Sequence, residues 1–430
     1  MRLFLNGLAA SAGGGLTYIR NVIPFLADTP GLQVTIALTP GLRTELRSFS
    51  TVDFLELDIP PARRFWYEQS TLPSVIRDCS ADALLSAGNF AVRNSPVPQI
   101  LLSRNSLYTS ADFYRDLRSR REYRAWLDTC LKAWLAKKSI QWADVTVAPS
   151  AAFAADLHRW TGKPIRAIHH GFDRDAFCRD TSPLSEEVEQ KLSANQGSLI
   201  LLFVSHYNYY RNFETLLRAL PLLRDLLPKR SVKLLLTCKL LDGENPGEYR
   251  PQGAASLVRQ LGVSDMVVEL GAIPYQQLHR VYRRANVYVT PAYTETFAHP
   301  LVEAMASGLP VVASEIAVHQ EICADAALYF PRFSSAALAN CVAEIATSTE
   351  KPKRMASLGL ERSLQFSWKS HVEQILELAR SLHQNHKPNA SCSSTAASTD
   401  YAGTDPGTGM RTASGASSGP KPDSGSAESA

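Results

Sequence analysis

Val289-Thr290-Pro291-Ala292-Tyr293-Thr294-Glu295-Thr296-Phe297-Ala298-His299-Pro300-Leu301-Val302-Glu303-Ala304-Met305-Ala306-Ser307-Gly308-Leu309-Pro310-Val311-Val312-Ala313-Ser314 reads as strand, loop, short helix, turn and strand. Asn286 to Thr290 is apolar and β-rich, as a buried parallel strand must be. Pro300 suits a first helical turn, where a missing N–H costs nothing, and Gly308 suits the position just past the helix end. Two carboxylates bracket the turn, Glu295 and Glu303, with seven residues between them. The loop brings free backbone N–H groups and the positive end of a helix dipole to one point. That combination suits an anion flanked by hydroxyls, such as a diphosphate with a sugar on each side.

The rest of the chain repeats the strand-and-helix alternation. Strand-like runs are Arg2–Asn6, Gln33–Leu38, Ala83–Ser86, Gln99–Ser103 and Asp144–Ala148, then Ser198–Val204, Lys233–Cys238 and Val267–Gly271. Helical stretches separate most of them, which argues for open parallel sheets wrapped on both faces. In such sheets the ligand sits beyond the carboxyl ends of the strands. The loops there are Gly88-Asn89, Arg104-Asn105-Ser106-Leu107-Tyr108, Pro149-Ser150 and Ser205-His206-Tyr207-Asn208-Tyr209-Tyr210-Arg211-Asn212. Arg211 puts a fixed cation at the start of a helix, suited to a phosphate by charge and geometry. Near the start, Gly13-Gly14-Gly15 opens the helix-like Leu16–Pro24. Its spacing matches neither GxGxxG nor GxxxxGK[ST], which disfavours a dinucleotide or nucleoside triphosphate site.

Composition narrows the classes. At 430 residues two to three domains are expected. A net charge of +4 is too slight to argue for nucleic acid, so no nucleic-acid partner is expected. The seven cysteines are scattered and odd in number, with no CxxC, which favours a reducing, cytoplasmic setting. No apolar run is long enough to span a bilayer, and Met1–Leu5 is too short for an export signal. The segment 114–138 is basic and interleaved with Tyr123, Trp126 and Trp134; it reads either as a peripheral contact with an anionic membrane, at its inner face, or as a solvated helix with its Trp residues in the core. Asp173-Arg174-Asp175 has the spacing of a divalent-metal DxD but lies at a domain edge, where a turn or helix cap is the expected role. His169-His170 lacks further ligands at zinc spacing. No metal site and no cofactor are expected.

Glu295 to Glu303, with the continuation Val302-Glu303-Ala304-Met305-Ala306-Ser307-Gly308-Leu309-Pro310-Val311-Val312, resembles the E-x7-E signature of retaining glycosyltransferases of the GT-B fold, group 1 or GT4 type. Phe203-Val204-Ser205 with Arg211-Asn212 is similar to their donor loop, His170-Gly171-Phe172-Asp173 to their interdomain stretch, and Trp66-Tyr67-Glu68-Gln69 with Gly88-Asn89 to a pattern in the N-terminal half of some members. The likeness covers roughly residues 1 to 380. It implies an α/β fold of two doubly wound, Rossmann-like domains facing across a cleft. The expected parts are an acceptor-side domain (1–178), a linker (179–196), a nucleotide-sugar-binding domain (197–365), a helix packing back on the first domain (366–385) and a disordered tail (386–430).

The resemblance also implies roles. Glu295 would bind hydroxyls of the donor sugar, Glu303 the ribose, and Arg211 the leaving diphosphate. Ser205, His206, Thr296, Phe297 and Ala298 would complete the donor site, with Gly13, Gly14, Gly15, Asn89 and Asn105 on the acceptor and phosphate side. The implied reaction is metal-independent transfer from a nucleotide-diphosphate sugar to a glycan or lipid-linked acceptor with retention, as in polysaccharide and cell-envelope biosynthesis. Three departures stand out: Ala298 where the family usually has Gly, Ser205-His206 where it has Gly-Arg, and no counterpart of its N-terminal active-site His. They leave open a nucleotide-sugar-binding protein with little turnover; a GT-B epimerase is another alternative.

Overall fold

Buried apolar runs at regular intervals become parallel strands here. The computed structural model describes residues 1–10, 14–44, 46, 48–247 and 249–386; Gly13 and the tail from 387 lie outside the described residues. The first sheet contains β1 (Arg2–Asn6), β2 (Gln33–Leu38), β3 (Val52–Glu56), β4 (Ala83–Ser86), β5 (Gln99–Leu102), β6 (Val145–Ala148) and β7 (Ile165–Ala167), in the order β3-β2-β1-β4-β5-β6-β7. The second contains β8 (Leu199–Phe203), β9 (Val232–Leu236), β10 (Val267–Glu269), β11 (Val287–Thr290), β12 (Val311–Ser314) and β13 (Ala327–Phe330), in the order β10-β9-β8-β11-β12-β13. Every pairing is parallel. The order in which strands are added reverses between β1 and β4 in one sheet and between β8 and β11 in the other, so each sheet has one crevice beyond its strand ends.

The sequence expects an N-terminal Rossmann-like half, and the last helix completes it. Trp368–His386 is amphipathic, and Trp368, Val372, Ile375, Leu376 and Ala379 join Leu3, Leu5, Tyr18, Ile19 and Val22 in one cluster. Gly171 lets this crossing happen: a Cβ there would stand 2.0 Å from the Trp368 nitrogen. Phe172 N–H donates to the Phe366 carbonyl at 3.1 Å on the same seam.

Two expectations need correction. The stretch 179–196 is not a plain linker: Ser185 caps the helix Glu186–Ala194, whose Val188 and Leu192 are buried in a cluster with Ile200 and Leu202 of β8. Its acidic first turn disguised it as solvated chain. The basic segment 114–138 is not one helix. It breaks where Arg121 takes a positive φ of 61° and Glu122 N–H bonds back to the Leu117 carbonyl, giving Ala111–Ser119 and Tyr123–Trp142.

The shorter of these, here called the strap helix, belongs by sequence to the first half and by packing to the second. Phe113 and Leu117 lie in the core of the second sheet with Phe203, Tyr207, Phe213 and Leu216. Each such burial is worth about 1.5–3 kcal/mol. Polar contacts fix its register: Asp112 pairs with Arg332 at 2.7 Å, Arg120 with Glu214 at 2.8 Å, and Tyr293 O–H donates to Asp116 at 2.9 Å. Arg120 also lies over the Tyr209 ring, 4.3 Å from its centroid.

Candidate active site

The crevice of the second sheet lies where β8 and β11 end side by side. After β8 the chain runs through Ser205 and His206 into a short 3-10 turn, Tyr209–Arg211, stopped by Asn212 in the left-handed region (φ 55°). Asn212 Nδ2 donates to the Pro291 carbonyl at 3.0 Å and the Arg332 carbonyl at 2.7 Å, so one side chain holds the β8 loop against the ends of β11 and β13. This fixes Arg211, whose Nη1 donates to Glu295 Oε1. Glu295 is buried and the Arg211 side chain largely so. Desolvation raises the Glu295 pKa, and the Arg211 charge opposes that rise. Arg211 Nε is buried with no hydrogen-bond partner. A buried guanidinium donor with no acceptor costs free energy unless a ligand supplies one.

Ser205 is buried; its N–H donates to Thr237 Oγ1 at 3.0 Å and its hydroxyl to the His206 carbonyl at 2.7 Å, so it shapes the loop. His206 remains exposed at the rim. Desolvation and the Arg211 charge push its pKa downward, which solvent screening tempers.

Beyond Glu295, Ala298 caps the helix His299–Ala306 at φ 63° and ψ 66°, a left-handed conformation natural to glycine and costly for a residue with a Cβ. Pro300 lies in the first turn, and Gly308 follows the last turn at φ 73°. Glu303 faces inward from this helix at 3% exposure. Burial pushes its carboxyl up to about 7, against the lowering effect of the Tyr282 hydroxyl, which donates to Oε2 at 2.8 Å. Phe297 turns its ring away into an aromatic cluster, and the Thr296 N–H is engaged by the Glu295 carboxylate. Of the expected donor residues, Glu295 and Arg211 are brought into direct contact, Ala298 sets the start of the helix that carries Glu303, Glu303 is held by Tyr282, and Phe297 acts as packing.

On the facing half, the crevice lies between β1 and β4. Asn6 Nδ2 donates to the buried Glu68 at 3.1 Å, and Gln69 holds the Ala91 carbonyl at 3.0 Å, so the Glu68-Gln69 pair braces the crevice wall. Gly88 permits contact with Ala9, which a Cβ would approach to 2.5 Å. Asn89, at φ 65°, accepts from Arg104 N–H at 2.6 Å. Asn105 caps the next turn by accepting from Leu107 N–H, a structural duty. Gly14 begins the helix Gly14–Ala27, and Gly15 packs against Ala10, where a Cβ would stand 2.9 Å from its Cα.

The halves are tied directly at the site. Ser150 Oγ donates to the Thr296 carbonyl at 2.7 Å, and Glu321 accepts from the Ala151 and Ala152 N–H groups at 2.7 and 2.6 Å, capping the helix Ala151–Thr161 from the other half. His169 Nε2 meets the same carboxylate at 2.6 Å. Despite desolvation, these contacts hold the Glu321 pKa below its usual value.

The sequence did not single out the cluster behind Phe297. His170 stacks on Trp368 and on His299, with centroids 5.4 and 5.3 Å apart, and its Nδ1 lies 3.2 Å from His299 Nε2. His371 Nδ1 meets the His169 carbonyl at 2.8 Å, so that nitrogen carries the proton and Tyr18 O–H donates to Nε2 at 3.0 Å. Burial, with Arg104 and neighbouring imidazoles, pushes His299 and His371 down to about 4 and His170 well below its ordinary value. Asp173 of the DxD caps the turn Arg174–Phe177, accepting from Ala176 N–H at 2.9 Å.

Two family models divide the chain between them. The one described as glycosyl transferases group 1 matches residues 185–362, and the one described as glycosyltransferase family 4 matches residues 12–176. A D-inositol 3-phosphate glycosyltransferase of Corynebacterium aurimucosum is 26% identical over 238 residues, 54% of this chain and 56% of that protein. The chain thus spans little more than half the length of the curated relatives it matches. Among solved structures, sucrose-phosphate synthase from Thermosynechococcus elongatus superposes with a TM-score of 0.71 at 20% identity, over 90% of this chain and 100% of that one. Anabaena HepE in complex with UDP-glucose superposes at 0.67 and 18% identity, over 89% and 100%. With its second half matched by one model, its first by the other, and two Rossmann-like sheets meeting at Glu295 and Arg211, the chain belongs to the group 1, family 4 type of GT-B glycosyltransferases.

Proposed function

We propose that the protein transfers a hexosyl group from a nucleoside diphosphate sugar to a hydroxyl of a glycan or lipid-linked acceptor, retaining the anomeric configuration. The observation that carries this reading is Arg211: a buried cation at the switch point, paired to Glu295 on one nitrogen and with another, Nε, lacking an acceptor. A donor diphosphate supplies that acceptor, and Glu295 then turns to the sugar hydroxyls. Glu303 faces the ribose. HepE, whose fold is similar, binds UDP-glucose, which supports a nucleotide-sugar donor here.

The anomeric C–O bond to the diphosphate breaks while the acceptor oxygen forms its bond on the same face. The departing oxygens gather negative charge, which Arg211 and the N-terminus of the helix His299–Ala306 stabilise without reorganising. The acceptor hydroxyl proton passes to the leaving diphosphate. This reading assigns the reaction no metal and places it in cytoplasmic polysaccharide or cell-envelope assembly. A second reading, donor binding with little turnover, is favoured by the strained Ala298 and by a Ser205-His206 loop that offers no second cation.

Titration of the purified chain with UDP-, GDP- and ADP-sugars, followed by nucleoside diphosphate release with and without glycan or lipid acceptors, tests both. Binding plus acceptor-dependent release is expected. Binding without release supports the second reading, and binding to none of the donors removes both.

A further inference from the structure

The helix Tyr123–Trp142 carries large apolar side chains on both sides. Its buried positions are mostly small, Thr129, Ala133, Ala136 and Ser139 with Ile140, while Trp126 and Trp142 pack inward near its two ends. Its outward face carries large apolar ones: Tyr123, Leu127, Leu131 and Trp134 are each between 56% and 61% exposed. Spaced by four, four and three residues, these fall within about 80° of arc on a helix that turns 100° per residue. A helix bathed only in water carries the reverse arrangement. Trp66, on the helix Pro61–Ser70, is likewise exposed, at 72%. Its neighbour Phe65 contacts Phe90, which packs on Ala133 and Ala136 beneath the row.

Charge says what covers this row. Residues 111–142 hold eight basic and four acidic side chains. All four acids are engaged: Asp112 by Arg115 and Arg332, Asp116 by Arg120, Glu122 by Arg250, and Asp128 by Lys132. Arg118, Arg121, Arg124 and Lys138 have no ion-pair partner among the described residues, and by helical position Arg124 and Lys138 border the apolar row. A second copy of the chain is disfavoured. A two-fold contact would set these cations against their own symmetry mates, and four such side chains offer roughly 500 Å², short of the ~800 Å² per partner of a standard stable contact.

We propose that this face docks peripherally on an anionic lipid bilayer. Tyr123, Leu127, Leu131 and Trp134 lie at the boundary of headgroups and acyl chains, and Arg124 and Lys138 lie against lipid phosphates. The start of this helix touches the Arg211 loop, where Tyr209 O–H donates to Glu122 at 3.0 Å, but the apolar row itself points to solvent and includes neither Arg211 nor Glu295, so membrane docking and the proposed transfer are tested separately.

The test is co-sedimentation of the full chain with vesicles of equal parts phosphatidylglycerol and phosphatidylcholine, and with phosphatidylcholine alone. Pelleting with the anionic vesicles only, weakened by salt, is expected. Each of Arg124→Glu and Lys138→Glu should lower apparent affinity by about five-fold or more. The double variant Leu127→Ser, Trp134→Ser should lose binding while keeping its thermal melt and its nucleotide-sugar binding. No pelleting of the wild-type chain, or equal pelleting of the double variant, overturns the proposal. So does a concentration-dependent dimer in light scattering that the double variant abolishes while vesicles bind neither protein.

Discussion

Ser150 Oγ and the Thr296 carbonyl meet at 2.7 Å across 146 residues of sequence, one at the end of a strand of the first sheet, the other beside Glu295 in the second. Ser150 also caps the helix Ala151–Thr161, accepting from Phe153 N–H at 3.2 Å. One hydroxyl therefore sets both a helix start and the donor loop. Ser150→Ala should cost about 1–2 kcal/mol in denaturant unfolding. If the loop it steadies binds the donor as proposed above, it should also raise the KM for the donor more than it lowers kcat. Unchanged donor KM would separate the two duties.

The Arg211–Glu295 pair makes the choice of substitution matter. Glu295→Ala strands a buried guanidinium, and breaking one side of such a pair costs about 3–5 kcal/mol. Glu295→Gln keeps an acceptor for Arg211 and should melt within a few degrees of wild type while transfer falls at least about 100-fold, the scale of a lost transition-state contact. A Glu295→Gln enzyme with wild-type turnover would remove Glu295 from the reaction.

Ala298 pays for a left-handed backbone with a Cβ. Ala298→Gly relieves about 1 kcal/mol of strain, partly offset by the greater freedom of glycine in the unfolded chain. The melting temperature should hold or rise slightly, and donor affinity should not fall. Ala298→Val, with a branched side chain at the same φ, should lower stability by at least about 2 kcal/mol. A melt lowered by glycine as much as by valine would contradict this backbone reading.

The imidazoles behind Phe297 bear on pH. His299 and His371 have folded pKa values depressed to about 4, below their unfolded values. Their contribution is therefore present above pH ~6.5 and is lost as pH falls through 4, by at most about 3 kcal/mol each. Glu303, raised to about 7, runs the opposite way: its contribution is present below about pH 4.5 and is lost as pH rises through 7. The clean observable is a difference. His371→Gln should flatten the fall in stability between pH 6.5 and 4 relative to wild type, measured by urea unfolding at each pH. Parallel curves would mean that His371 titrates normally.

The parts legible in the sequence were those whose geometry is local. Glu295, Pro300, Glu303 and Gly308 occupy one strand–loop–helix–turn, and each restricts its own backbone in a way that residue type announces. Arg211 could be placed because it ends a loop after an apolar strand. Ser150 was read only as part of a loop, because its partner Thr296 is defined by the meeting of two sheets. The helix Glu186–Ala194 was hidden by its acidic start, and β3 by Asp53 and Glu56 on an edge strand. The basic segment was read as continuous because its break at Arg121 uses a positive φ without glycine or proline to mark it.

The strap helix changes what counts as a separable part. A cut near residue 197 would deprive the second half of Phe113 and Leu117, opening a socket among Phe203, Tyr207 and Phe213. The first half would be left with an apolar helix and nothing to cover it. Chimeras that exchange halves with a relative at this junction would join one protein's strap to another's socket. Grafts that carry 111–122 along with the second half would keep the match, so the folding unit built on the second sheet is discontinuous in the gene although continuous in space.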